Sequence, residues 1–555
     1  MITTFHSSFS RFLLLGFILC CPFYTTAQLS PCWDRTLGGF QYEELNAMVP
    51  IPDGIIVAGS SRSFPYASNP SDLSWNIHFY ELNLNGEVRW SRTYGGEQDD
   101  RLWELIATSD GGYICGGYAY SGATGDKTRP SQGDMDVWVL KLDADGQLEW
   151  ENSFGGLYRD ELFSIREVPG GGYLLGCHSE SDASSDKTEN SRGGQDLWII
   201  RLDAQGEKLW DKTIGGNSFD QIHDIEWAPD GNIYLSGGTY STPGTGEVGN
   251  QPTGGALDFW ILKFNPNTQT ILWQNRFGGS GEEFAYALTL SGNRIFLGGR
   301  SGSPQGTGDK TSAFYGGPAD FWLLELNDSG QKIREWSFGG TGLDDLYYIL
   351  EMADGKLLLG GFSDSGISGN KSSEPIGGYD YWLVCLDNLG NYLWQQRLTG
   401  SGNEALTKLA LMADGSVLAG GHSDSNAAWD KSEDCLGAND FWIVCLRTDS
   451  MPPEQETKQN WYVPNVFSPN EDGLNDFLGF YADESLVEVN LFTVVDRWGE
   501  ICFQRENLPA NNDLEGWDGT FRGKKAPPGV YGWYAKVIFT DGKELILKGD
   551  VSIVR

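Results

Sequence analysis

A chain of 555 residues is too long for one ordinary core, and its Gly (74), Trp (21), Tyr (23) and Phe (28) suit short strands and tight turns rather than disorder. The formal net charge of −37 repels nucleic acid and anionic membrane, and favours solubility and cation binding. Simple solubility of an exported protein also accounts for it, because acidity alone names no partner.

The N-terminus reads as a targeting segment. Arg11 precedes the apolar run Phe12–Cys21, and Pro22 and the small residues Thr25-Thr26-Ala27 follow. This pattern predicts a secretory signal over residues 1–27, cleaved after Ala27. The run is too short to span a bilayer, and no later apolar stretch predicts a transmembrane anchor. A lipidated Cys20 or Cys21 fits less well, because Leu19 and Cys20 stand where a small residue is needed. Seven cysteines remain beyond the signal, an odd number too sparse for a disulfide scaffold. No C-x-x-C occurs, so neither a zinc knuckle nor a thioredoxin-like site is expected.

From Trp33 to Leu446 a pattern returns about every 60 residues, a period that indicates solenoids, propellers or arrays. Each copy divides into four short strand-like runs. In one they are Glu161–Val168, Tyr173–Cys177, Asp196–Leu202 and Lys208–Ile214, separated by Gly- and Asp-rich turns. Asp-x-Trp opens the third run six times, at Asp136, Asp196, Asp258, Asp320, Asp380 and Asp440, and Asn76 and His78 hold those places in the first copy. The chain enters on a fourth run (Trp33–Leu37) and leaves its last repeat on a third (Phe441–Leu446). The expected architecture is therefore all-β: a seven-bladed β-propeller over residues 28–450, closed by an N-terminal strand that completes the last blade. The register that pairs Glu81 with Arg89 and Lys141 with Glu149 sets Cys445 opposite Cys32. A disulfide clasp and two free strand cysteines are both open there. Cys385 faces Leu393 in the same register and is expected to stay reduced. The Gly-Gly, the acid after it and the D-G-x-Y-x-x-G-G run (as in Asp110–Gly117) resemble the seven-bladed β-propeller repeats of bacterial exported proteins. That resemblance implies architecture only.

Two recurrences could mark a ligand face. The loops between second and third runs are long (Ala119–Gly133, Ser179–Gly194, Ser301–Gly317, Ser363–Gly378). Five of them carry an Asp/Asn-Lys-Ser/Thr triplet, at Lys127, Lys187, Lys310, Lys371 and Lys431, for which a buried structural lysine is an alternative to a ligand contact. Four residues after each Gly-Gly stands an acid: Glu43, Asp100, Asp160, Asp220, Glu283, Asp344 and Glu404. Seven such carboxylates could ring the channel mouth and would then need cations such as Ca²⁺. Alternatively each accepts backbone N–H bonds from its own Gly-Gly turn. No catalytic motif is present: four histidines outside the signal (His78, His178, His223, His422) form no H-E-x-x-H, and no G-x-S-x-G or Walker loop occurs. An enzyme is not expected, although paired carboxylates leave an extracellular polysaccharide hydrolase or lyase as an alternative, beside a structural adhesion component.

After Arg447 the repeat stops. Residues 451–460 read as a linker, and residues 461–555 as a small Ig-like β-sandwich. V-P-N-V-F-S-P-N-E-D-G-L-N-D (Val463–Asp476), D-R-W-G-E-I-C-F (Asp496–Phe503), W-D-G-T-F-R-G-K (Trp517–Lys524), P-P-G-V-Y-G-W-Y (Pro527–Tyr534) and a terminal K-G-D-V-S-I-V-R occur in order. This module resembles the type B C-terminal sorting domain of the type IX secretion system, the gliding-motility-associated C-terminal domain. The resemblance implies a Bacteroidota-type protein handled by the type IX machinery, exported through the periplasm and outer membrane and released or held at the cell surface. Asn470, Asp472, Asn475 and Asp476 surround Gly473 and suit either an Asx-stabilised turn or a weak Ca²⁺ loop. Trp498, Trp517 and Trp533 read as core or corner packing. The combined expectation is an exported propeller that binds an extracellular glycan or protein on its long-loop face.

Overall fold

The structure, a computed structural model, describes residues 29–64, 74–251, 254–448, 461–464, 466–470, 475–482, 486–510, 512, 515–539 and 544–554. The expected signal over 1–27, the linker 451–460 and Asp472 lie outside them. The chain divides into two compact units, Met1–Asp449 and Ser450–Arg555.

Among the described residues the first unit holds seven four-stranded antiparallel sheets and no α-helix. Six are consecutive meanders. Their innermost strands are Glu43–Ile51, Asp100–Ala107, Asp160–Glu167, Asp220–Trp227, Glu283–Ser291 and Asp344–Glu351, taken here as the first to sixth sheets. The seventh begins with Glu404–Leu411 and takes its fourth strand from the N-terminus: Leu29–Leu37 pairs antiparallel with Asp440–Thr448. Each inner strand packs on its neighbour's, and that of the seventh packs on that of the first. The result is a propeller-like ring of sheets, closed where the seventh meets the first.

The third strands explain the cohesion. Val137–Leu140, Leu197–Ile200 and Phe441–Leu446 are buried on both faces, so they read as apolar runs rather than alternating ones. The Asp-x-Trp indoles Trp138, Trp198, Trp260, Trp322, Trp382 and Trp442 are 0–2% exposed, and each sheet interface is an apolar layer between neighbours. Burying each such indole contributes on the order of 3 kcal/mol.

Cys32 and Cys445 form a disulfide with Cα atoms 5.4 Å apart, across a bulge between Pro31 and Trp33. Cys385 is free and buried. Asp34 reinforces the same seam. It accepts the Trp442 indole N–H at 3.0 Å and the Ser432 N–H at 2.9 Å. Glu151 does this job within its own sheet, accepting from Trp138 at 2.8 Å and Thr128 at 2.9 Å.

The second unit has one five-stranded sheet in the order Val466–Phe467, Glu544–Ile553, Gly529–Phe539, Leu486–Val495, Ile501–Leu508, with two short ribbons. The first pair is parallel and the rest antiparallel. Phe467, Phe492, Trp517, Trp533 and Val551 form its core. Trp498 departs from the sequence reading. It is 85% exposed at a turn held by Asp496, whose carboxylate accepts from the Trp498 and Glu500 N–H groups at 2.9 Å. Asp and Gly499 make that turn locally, so the indole is not needed to pack it. Asn475 has φ of +54°, and Asp476 accepts the Asn470 N–H at 3.0 Å across that segment.

Candidate functional site

The seven recurrent acids do not open onto a face. Glu43, Asp100, Asp160, Asp220, Glu283, Asp344 and Glu404 are each 0–1% exposed. Each accepts the N–H of the second residue of its own Gly-Gly pair (Thr-Gly in the last repeat), at 2.6 to 3.1 Å. Each also takes a hydroxyl from the end of the second strand or just beyond, such as Ser121 on Asp100 at 2.8 Å and Ser181 on Asp160 at 2.9 Å. Of the two arrangements open from the sequence, the contacts are those of the Gly-Gly latch and not of a convergent ring: each acid turns back to tie its own strand to the preceding connection. Among the described residues no cluster of His, Cys, Asp and Glu is placed to hold a metal ion. Burial pushes Glu43 and Asp100 up to about 7 and Asp160 up to about 6, and raises Asp220, Asp344 and Glu404.

The loop lysines are structural too. Lys127, Lys187, Lys310, Lys371 and Lys431 are 0–3% exposed. Lys187 donates to the Ser181 carbonyl at 2.7 Å, and Lys310 to the Ser337 hydroxyl at 2.9 Å. The ammonium groups of Lys310, Lys371 and Lys431 lie 5.0, 4.7 and 6.0 Å from the centres of Trp322, Trp382 and Trp442. Burial lowers all five, Lys310 and Lys371 to about 8. Their work is to pin each long loop to its sheet.

What sequence reasoning missed lies on the inner strands. Every one of the seven carries a β-bulge three residues after its buried acid, at Asn46, Trp103, Phe163, His223, Tyr286, Tyr347 and Thr407. A bulge re-aims the side chain of the extra residue. These seven residues, with Lys408, line one cavity of about 210 Å³. The signal was present as a fixed offset from each acid, but the residue types vary, so no motif announces it.

The cavity wall is half aromatic and half polar. Trp103 stacks on Phe163 (centroids 5.0 Å apart), Phe163 stacks on His178 (4.0 Å), and Tyr286 stacks on Tyr347 (4.7 Å). His223 meets Phe163 and Tyr286 edge-on, both at 5.4 Å. The rings therefore cover one another's faces along the arc from the second to the sixth sheet. Asn46, Thr407 and Lys408 complete the circle. Burial lowers His223 to about 4, so it is neutral at physiological pH.

One step further along the inner strands, toward the tight-turn end, the channel is filled by charge. Arg166 pairs with Asp224 at 2.7 Å, Glu226 at 3.0 Å and Glu104 at 3.3 Å, and Lys408 pairs with Glu104 at 3.7 Å. Burial opposes the charge on Arg166 and Lys408, but their carboxylate partners outweigh it and both are raised. This mutually neutralising cluster floors the cavity.

Residues 461–553 match the family described as CHU_C Type IX secretion signal domain. That match indicates export, to the cell surface or beyond, by the type IX route. The class is thus an all-β protein of propeller-like sheet repeats joined to a type IX secretion signal domain. Among individual proteins, the chain is 22% identical over 357 residues to Regulatory protein FlaEY of Caulobacter vibrioides, covering 59% of this chain and 36% of that protein, so it spans little more than a third of that relative's length. Solved structures it resembles include BBS1N in complex with ARL6DN (7% identity, TM-score 0.40, 76% of this chain and 98% of that one). Another is the Pyrococcus horikoshii acylaminoacyl peptidase (10% identity, TM-score 0.36, 90% of this chain and 59% of that one). Among the described residues no helix is long and apolar enough to cross a membrane.

Proposed function

We propose that this protein is an exported seven-bladed β-propeller that binds an extracellular ligand, delivered by an N-terminal signal peptide and a type B sorting domain of Ig-like sandwich form. The observation that carries the reading is the bulge repeated in all seven inner strands. It directs one side chain per sheet into a common cavity, at the same place in every repeat. The wall combines apolar ring edges with a few polar groups, as small-ligand and chain-end sites do. A binder fits better than a hydrolase because the carboxylates nearest the cavity, Glu104 and Asp224, are held in ion pairs to Arg166 and Lys408.

Glycan arrays and pull-downs with the full chain test this directly. Tyr286→Ala combined with Tyr347→Ala should abolish the strongest captured interaction while leaving the unfolding midpoint within a few degrees. Undiminished capture by that variant would remove the cavity from the binding site.

A further inference from the structure

One residue of the long-loop end breaks the local rule that its counterparts obey. The turn before each loop lysine has a residue with positive φ. Gly125, Gly308 and Gly369 fill it at +56° to +63°, and Gly246 holds the matching place at +53° in the fourth sheet, whose loop has no lysine. Ser185 fills it in the third sheet at +49°, and in the seventh Trp429 fills it at +58°. A bulky side chain is disfavoured in that region, where glycine carries no steric penalty.

Packing does not repay the strain. Trp429 is 73% exposed, and its ring meets no other ring among the described residues. The turn is held without the indole: Ala428 and Lys431 exchange N–H bonds at 2.9 and 3.1 Å, the Asp430 N–H reaches the Thr399 carbonyl at 3.0 Å, and the Asp430 carboxylate accepts the Thr399 N–H at 3.0 Å. The first three of these bonds also form around Ser185, so tryptophan is not required for them. Phe40, 90% exposed, stands beside the same loop, its backbone against Gly437. The cavity rings cover each other's faces; the faces of Trp429 and Phe40 are uncovered.

We infer that Trp429 forms a stacking surface for a neutral polysaccharide on the long loop of the seventh sheet. The inference deepens the binding reading above and rests on it. A free indole face carries negative quadrupole density and attracts the polarised axial C–H groups of a sugar ring. The loop around it is rich in hydroxyl, amide and carboxyl groups (Asn426, Ser432, Asp434) suited to sugar hydroxyls. The net charge of −37 selects against polyanionic glycans, which leaves the neutral ones.

Native electrophoresis of the full chain through gels containing hydroxyethylcellulose, xylan, galactomannan or polygalacturonate tests it. The wild type should be retarded in at least one neutral gel and not in polygalacturonate. Trp429→Gly should weaken that retardation by roughly tenfold or more, Trp429→Phe should keep part of it, and the unfolding midpoint of Trp429→Gly should equal or exceed the wild type. Unchanged retardation of Trp429→Gly overturns the inference, and so does a lowered midpoint, which would make the indole structural. Absence of retardation in every neutral gel, or capture of a protein partner that needs Trp429, overturns the ligand class. Loss in the Tyr286→Ala, Tyr347→Ala variant with Trp429→Gly unaffected would leave the binding reading standing and remove this one.

Discussion

A carboxylate in a β-repeat can be a ligand or a latch, and burial decides between them. Asp160 shows the latch. It is 0% exposed, with the Gly156 N–H at 2.7 Å and the Ser181 hydroxyl at 2.9 Å. Asp160→Ala would strand both donors, each costing about 1–3 kcal/mol. Asp160→Asn keeps an acceptor oxygen and avoids burying a charge. We expect the alanine variant to unfold several degrees below the asparagine variant by thermal scanning, and equal midpoints would show that the bonds contribute little. The spacing of these acids was legible in the sequence, and so was the possibility that each serves its own Gly-Gly turn. Which alternative held was not, because spacing fixes the strand position and only the closed ring fixes solvent access. Trp498 failed for a related reason: its neighbours Asp496 and Gly499 complete the turn without it.

At the scale of elements, chain ends that are complementary strands predict their own pairing. The four-run repeat, the missing fourth run of the last copy and the spare one at Trp33–Leu37 were sufficient, since an unpaired edge beside Asp440–Thr448 would leave its backbone groups unsatisfied. The cysteines follow from that register. The bulges do not. An extra residue in a strand changes no hydropathy pattern when the next apolar position simply shifts, and here Leu45, Leu102 and Leu162 all precede the bulge by one residue. The cavity was hidden for that reason. The clasp closes 413 residues of chain, for which the entropy model gives ~6 kcal/mol less any native-state strain. Cys32→Ser, or dithiothreitol on the wild type, should lower the unfolding midpoint of the first unit by several degrees, while dithiothreitol should not lower that of Cys32→Ser further. No fall in either case would mean that the seam is held by Asp34 and the strand ladder alone.

For the whole molecule, buried acids outnumber what pairing can neutralise, and this gives stability a direction with pH. Burial raises Glu43, Asp100, Glu161 and Asp320 to about 7, from ordinary values near 4 in the unfolded chain. A raised acid holds its proton longer in the folded state, so its contribution is fully present below about pH 4 and is lost as pH climbs through 7. Four buried histidines act oppositely. Burial lowers His78 to about 3 and His223 to about 4, and lowers His178 and His422, so acid favours their unfolded, protonated forms. Their effect is confined below about pH 6.5, where the unfolded imidazole begins to charge. Between pH 6.5 and 8 these acids outnumber the opposing lysines Lys310 and Lys371, which burial lowers to about 8, and the unfolding midpoint should fall over that window, most steeply below pH 7. Repulsion among surface charges at a net −37 would give a slope of the same sign, but salt separates the two. Exposed charges more than a Debye length apart are screened at high ionic strength and buried carboxylates are not. The decline should therefore persist in 0.5 M NaCl, a concentration chosen to bring that length down to roughly 4 Å. A midpoint that rises from pH 6.5 to 8, or a slope that vanishes in salt, would show that the folded carboxylates are ionised and stabilised by partners rather than held neutral by burial.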